Sequence, residues 1–219
     1  MLKKSMIYLS GLVMVFMISG TLKANVGTDI YSNYIWRGTK FGTGPAVQPY
    51  VEGSIAGFTI GSWGSFCLTG DEAAEADLYI SYGFDFGLSL GLTDYYYPGA
   101  KYFEYSDTTS SHAFEINLGY ETGDFSISAN YILNDASAGA GSRGGDKYFE
   151  LGYTIGSASL FVGAGDGWHT SDGEFDVCNV GVSTEKSIKI SDDFSLPMSG
   201  AVILNPDTEQ FYVVVGISL

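Results

Sequence analysis

Apolar and polar residues alternate along most of this chain. In the last ten residues, Phe211, Val213, Val215, Ile217 and Leu219 share one parity, and Tyr212, Val214, Gly216 and Ser218 share the other. Successive side chains of a strand point to opposite faces, so this segment predicts a strand with one fully apolar face. Comparable segments recur, separated by Gly, Asp, Asn and Pro. They predict twelve strands: Thr28–Arg37, Ala46–Ser54, Phe58–Leu68, Glu75–Phe84, Phe86–Tyr97, His112–Glu121, Phe125–Asn134, Lys147–Ile155, Ala158–Gly165, Glu174–Lys186, Phe194–Leu204 and Gln210–Leu219.

The links between these segments alternate in length. Those after the even strands are mostly tight, as at Ile55-Ala-Gly57, Asp85, Thr122-Gly-Asp124 and Gly156-Ser157. The link after the tenth strand, Ser187 to Asp193, is looser. Those after the odd strands are mostly longer and more polar, with Pro98–Ser111 and Asp135–Gly145 the clearest. Short turns at one rim and long loops at the other are the layout of an outer-membrane barrel. The expected fold is therefore all-β, a transmembrane antiparallel up-and-down barrel of about twelve strands. Pairing the last strand with the first removes the unpaired edge, which lipid does not tolerate. The apolar parity becomes the lipid face. Tyr34, Trp36, Tyr95, Tyr96, Tyr97, Tyr120, Tyr131, Tyr148 and Tyr153 lie near strand ends and are expected in interfacial girdles.

The N-terminus sharpens the compartment. Met1-Leu2-Lys3-Lys4 is basic, Met6 to Ile18 is almost entirely apolar, and small residues follow. The apolar run is shorter than the roughly 20 residues of a spanning helix. It reads as a secretory signal peptide over residues 1–24, with the barrel over residues 25–219. Removing that segment takes Lys3, Lys4 and Lys23 with it, leaving seven Lys and Arg against 25 Asp and Glu. Such a balance excludes nucleic acid as a partner. Hydrophobic residues make up 45% of the chain, with 30 Gly, 16 Tyr and 14 Phe, a β-rich and turn-rich composition. Cys67 and Cys178 fall on strands placed far apart around the ring, so they are expected unpaired.

Three segments carry a family resemblance: Ser32-Asn-Tyr-Ile-Trp-Arg-Gly38, Pro45-Ala-Val-Gln-Pro-Tyr-Val-Glu-Gly53 and Phe58-Thr-Ile-Gly-Ser-Trp-Gly-Ser65. They resemble the opening strands of the TorF family of porin-type outer-membrane proteins over about 35 residues. The resemblance implies an outer-membrane barrel and a solute-conducting role. It implies no particular functional residues.

The polar parity yields the candidate lumen lining: Asp29, Asn33, Arg37, Gln48, Glu52, Glu75, Asp77, Glu115, Asn117, Glu121, Asn130 and Glu150. Acidic side chains outnumber basic ones, and a ring of one sign favours ions of the other. The expected function is passive passage of small solutes or ions through the bacterial outer membrane, with cation preference. The alternative is a non-conducting structural or adhesive barrel acting through its loops. Arg37 among acids reads first as an ion-pair partner and second as a constriction charge. His112 and His169 have neither a nucleophile setting nor a metal spacing. No catalytic, cofactor or metal site is expected. The expected partners are outer-membrane lipid, small solutes or ions, and the barrel-assembly machinery through the C-terminal strand.

Overall fold

The computed structural model describes residues 20–70, 74–99, 101–106, 109–137 and 139–219. The apolar stretch of the expected signal peptide lies outside the described residues. Twelve antiparallel strands close into one barrel. They are β1 (Lys23–Tyr31), β4 (Ala46–Ile55), β5 (Phe58–Cys67), β6 (Glu75–Gly83), β7 (Leu88–Tyr96), β8 (His112–Thr122), β9 (Phe125–Ile132), β10 (Lys147–Ile155), β11 (Ala158–Gly165), β12 (Asp176–Lys189), β13 (Ser195–Asn205) and β14 (Gln210–Ser218). Each pairs with its chain neighbour, and β14 pairs with β1 through Asp29–Ser218, Ile30–Ile217 and Tyr31–Gly216. The closing pair leaves no barrel strand with an open edge.

The alternation read from the sequence is the alternation of the wall. Val51, Ile60, Phe211 and Val213 face outward and stay 55%, 66%, 63% and 58% exposed, too much apolar surface for a face bathed in water. Their neighbours Gln48, Ser65, Asn130 and Val214 point inward and are buried. Short turns lie at one end, here the turn end. At Ala56-Gly57 both residues have positive φ, 49° and 87°, the primed geometry that matches strand twist. The long loops and the hairpin described next lie at the other end, here the loop end.

Four expectations need correction. The first strand does not run to Arg37. The chain leaves the wall at Ser32, whose backbone and hydroxyl both bond to Val215 on β14. It then forms a separate hairpin, β2 (Tyr34–Trp36) with β3 (Thr39–Phe41). Asn33 and Arg37 are therefore not wall residues. Second, the tenth strand runs on to Lys189, because its pairing with β13 continues through Ser187–Pro197 to Lys189–Ser195. Third, the girdle contains fewer aromatics than expected. Tyr34 and Trp36 belong to the hairpin, Tyr95 and Tyr148 are buried on the inner face, and Tyr97 packs against the buried cluster of Tyr95, Ala113, Ile132 and Ala136. Tyr96, Tyr120, Tyr131 and Tyr153 do stand on the outer parity. Finally, the first strand starts before Thr28, at Lys23, where Lys23 and Ala24 pair with Ser54 and Gly53.

Both cysteines are free. Cys178 sits where β12 bulges: Val177 pairs with Ala164 and Asn179 with Gly163, leaving Cys178 between them.

Candidate functional site

The β2–β3 hairpin turns through Arg37 and Gly38, with φ of 49° and 82°. Two residues in that region make a two-residue primed turn. Glycine adopts it freely, and a side chain at Gly38 would also overlap the Cys178 carbonyl. Arginine adopts it at some cost, of the order of 1 kcal/mol. What holds Arg37 there is its guanidinium.

Arg37 donates to both oxygens of Glu115, through Nη1 at 2.6 Å and Nη2 at 2.8 Å. Its guanidinium carbon lies 4.4 Å from the Trp36 ring centre and 4.5 Å from that of Tyr148. Glu115 also accepts from the Tyr95 hydroxyl at 2.9 Å and from Asn117 Nδ2 at 2.7 Å. The carboxylate is fully buried, and these four donors satisfy it.

These contacts place the hairpin inside the barrel. Glu115, Tyr95 and Tyr148 stand on the inner parity of β8, β7 and β10. Tyr34 packs on Trp63 of β5 at 5.5 Å, and Asn205 of β13 donates to the Gly38 carbonyl at 3.1 Å. The hairpin thus touches walls all round the ring.

Two further loops join it. Trp168 and His169, in a short 3-10 helix (Gly167–His169), lie 5.4 and 5.3 Å from Trp36. Ala136, from the loop after β9, packs with Tyr95, Ala113 and Ile132. His169 accepts from Trp168 Nε1 at 2.9 Å. Burial first, and the Arg37 guanidinium second, push its pKa far below the ordinary value, so the ring is neutral. Together these groups form an aromatic plug around one ion pair in the loop half of the lumen.

Below the plug is a cavity of about 560 Å³, lined by Asn25, Tyr34, Trp36, Tyr50, Glu52, Trp63, Asp77, Tyr79, Thr93 and Tyr95. Glu52 accepts from Asn25 Nδ2 at 3.2 Å and from the Tyr79 hydroxyl at 3.1 Å. Asp77 is buried, and among the described residues its Oδ1 has no hydrogen-bond partner.

Ten of the twelve candidate lumen residues stand on the inner parity of the wall. Asp29 sits between Gln48 and Ser218, and Gln48 reaches Ser65 Oγ at 3.3 Å. Glu75 and Asp77 are buried two residues apart on β6. Glu115, Asn117 and Asn130 form one chain of hydrogen bonds, with Asn117 Nδ2 donating to Asn130 at 3.0 Å. Glu150 accepts from the Tyr148 hydroxyl and from Asn179 Nδ2. Glu121, opposite Ser126, is exposed near the turn end. Arg37 and Asn33 enter on the hairpin segment instead. Asn33 lines a smaller cavity with Gln48 and Ile203.

Sequence reasoning missed Trp36, Tyr95, Tyr148, Trp168, His169, Asn179 and Asn205 as lumen residues. Tyr95 and Tyr148 stood on the polar parity and could have been found by it. Trp168 and His169 had no such signal, being in a loop.

The outward residues are mostly apolar and the inward ones mostly polar or aromatic, and a family model agrees with this chain over most of its length. The model for Gcw_chp, a bacterial protein of unknown function, matches residues 18–195. The chain belongs to the Gcw_chp family. No curated protein matches this Gcw_chp protein. Among solved structures, two mutants of Rh. blastica porin are similar to it. One shares 14% identity over 80% of this chain and 55% of the porin, with a TM-score of 0.44. The other shares 13% over the same shares, with a TM-score of 0.43. The Gcw_chp chain therefore spans little more than half the length of these porins.

Proposed function

We propose that this Gcw_chp protein is a porin-type barrel of the bacterial outer membrane that passes small solutes or ions, with cation preference. The observation that carries the reading is the division of the wall. A closed sheet with an apolar exterior suits lipid, and a polar interior suits water. The acidic residues on the inner parity include Asp29, Glu52, Glu75, Asp77, Glu115, Glu121, Glu150 and Glu185. Arg37 enters among them already paired with Glu115. Fixed negative charge in a narrow lumen raises local cation concentration. The turn end would face the periplasm and the loop end the exterior. The resemblance of the opening strands to TorF-type porins supports the same reading. The role is passage, not catalysis.

The hairpin acts as the constriction. Solute would pass beside it through the aromatic vestibule. A second reading, a non-conducting barrel working through its loops, has its own support: the hairpin, Trp168 and Ala136 gather in the same half of the lumen. Planar-bilayer recording of the refolded protein separates the two. Discrete conductance steps support passage. Their absence from wild type, with steps restored by deleting residues 33–43, supports a closed barrel.

A further inference from the structure

We propose that the vestibule below the plug is a binding site for a small organic cation, an alkylammonium or quaternary ammonium group. The inference goes beyond passage, because binding there does not require conduction.

The walls of this cavity have the chemistry of a cation cage. Six aromatic side chains line it: Tyr34, Trp36, Tyr50, Trp63, Tyr79 and Tyr95. Tyr34 and Trp63 lie 5.5 Å apart at 59°, and Trp36 and Tyr95 lie 5.5 Å apart at 69°, so the rings are set at angles to one another. Tyr79 keeps to the wall because its ring tip occupies the space that a side chain at Gly61 would need. Aromatic faces attract cations through their quadrupole, and tilted rings present several faces to one centre.

The carboxyl half of the site is Asp77. It lines the cavity, is only 5% exposed, and its Oδ1 has no hydrogen-bond partner among the described residues. A buried carboxyl oxygen without a donor is costly, and few native structures leave one unanswered. Glu75 stands beside it on the same face of β6, also buried, and the two carboxyl side chains are hydrogen-bonded to each other. Among the described residues, no lysine or arginine lines the cavity. The other wall carboxylate, Glu52, is already engaged by Asn25 and Tyr79 nearer the turn end. The Asp77–Glu75 pair is thus the acidic group of this wall that has no basic partner among the described residues.

The adjoining part of the lumen uses the same chemistry. There Arg37 lies against the Trp36 and Tyr148 rings and pairs with Glu115. Trp36 and Tyr95 border both places. The plug thus contains its cation as part of the chain, and the vestibule repeats the aromatic and carboxyl lining without one.

The test titrates the refolded full barrel, in a non-ionic detergent at fixed ionic strength, with choline as the probe. Trp36 and Trp63 report by fluorescence. The control is 3,3-dimethylbutan-1-ol, which has the shape of choline without its charge. The expected result is a saturable change with choline, at least tenfold weaker binding of the alcohol, and at least tenfold weaker choline binding in Asp77→Asn. Should Asp77→Asn fail to fold, Trp63→Leu serves, because it removes a cage wall without touching a carboxyl. No saturable change, equal response to the alcohol, or unchanged affinity in the folded variant would overturn the proposal. None of these outcomes bears on conductance, which the bilayer recording reads separately.

Discussion

Arg37, in the turn of the first-loop hairpin, grips Glu115 on β8 with two hydrogen bonds of 2.6 and 2.8 Å, 78 residues away in sequence. This pair pins a loop inside a barrel. Removing one partner strands the other in a buried site, at a cost of about 3–5 kcal/mol. Arg37→Gln is therefore expected to lower the urea midpoint of the refolded barrel and to raise its conductance as the hairpin loosens. Adding Glu115→Gln should recover part of the lost stability, since no charge is then left unpaired. A single variant as stable as wild type would mean the pair does not hold the plug.

Gly38→Ala tests the same seat by shape. The new methyl would collide with the Cys178 carbonyl, and φ of 82° disfavours any side chain. The hairpin must shift, uncovering Cys178, which is fully buried in wild type. A small maleimide should label Cys178 much faster in this variant. Equal labelling rates would place the hairpin's support elsewhere.

The outer face makes a different demand. Val215 is 48% exposed on β14, next to the closing seam. Val215→Asp sets a charge against lipid at up to a few kcal/mol, depending on depth. Less folded, heat-modifiable barrel should appear in the membrane fraction. Wild-type protein fractionating as soluble periplasmic material would contradict the membrane reading outright.

Loop placement gives a topological check. Tags within Pro98–Ser111 or Asp135–Gly145 should be reached by antibody on intact cells, and tags at Gly123 or Ser157 should not. The first of these loops also folds back on the outer wall. His112 is buried there between Asp94, at 2.8 Å, and the Tyr102 carbonyl, at 2.7 Å. A tag beside Tyr102 is therefore expected to loosen that loop without opening the lumen.

The strand plan was legible because lipid and water impose one strict rule on every barrel strand. Lys147–Ile155 and Ala158–Gly165 appear in the structure with the ends read from alternation alone. The hairpin was not legible because Tyr34 and Trp36 continue the rhythm of β1. Only the pairing of Ser32 with Val215 shows where the wall ends. The lumen-facing acids followed from parity. The neutralisation of Glu115 did not, since it depends on a turn 78 residues earlier entering the barrel. Tyr95 and Tyr148 were misplaced because nearness to a strand end was allowed to outweigh parity, and parity was the better guide.

Selectivity is the most direct test of the acidic lumen. With Glu115 held by Arg37 and Glu150 by Tyr148 and Asn179, the inner-wall carboxylates outside these ion-pair and plug contacts include Asp29, Glu52, Glu121 and Glu185, beside the buried Asp77–Glu75 pair. The deciding measurement is the reversal potential of the reconstituted barrel in a KCl gradient. The account predicts cation preference. It should fade as salt rises, because the screening length falls from about 10 Å at 0.1 M to about 3 Å at 1 M. It should also weaken when Glu52 and Glu121 are both changed to Gln. Anion preference in the wild type, or a reversal potential unmoved by that double change, would contradict it.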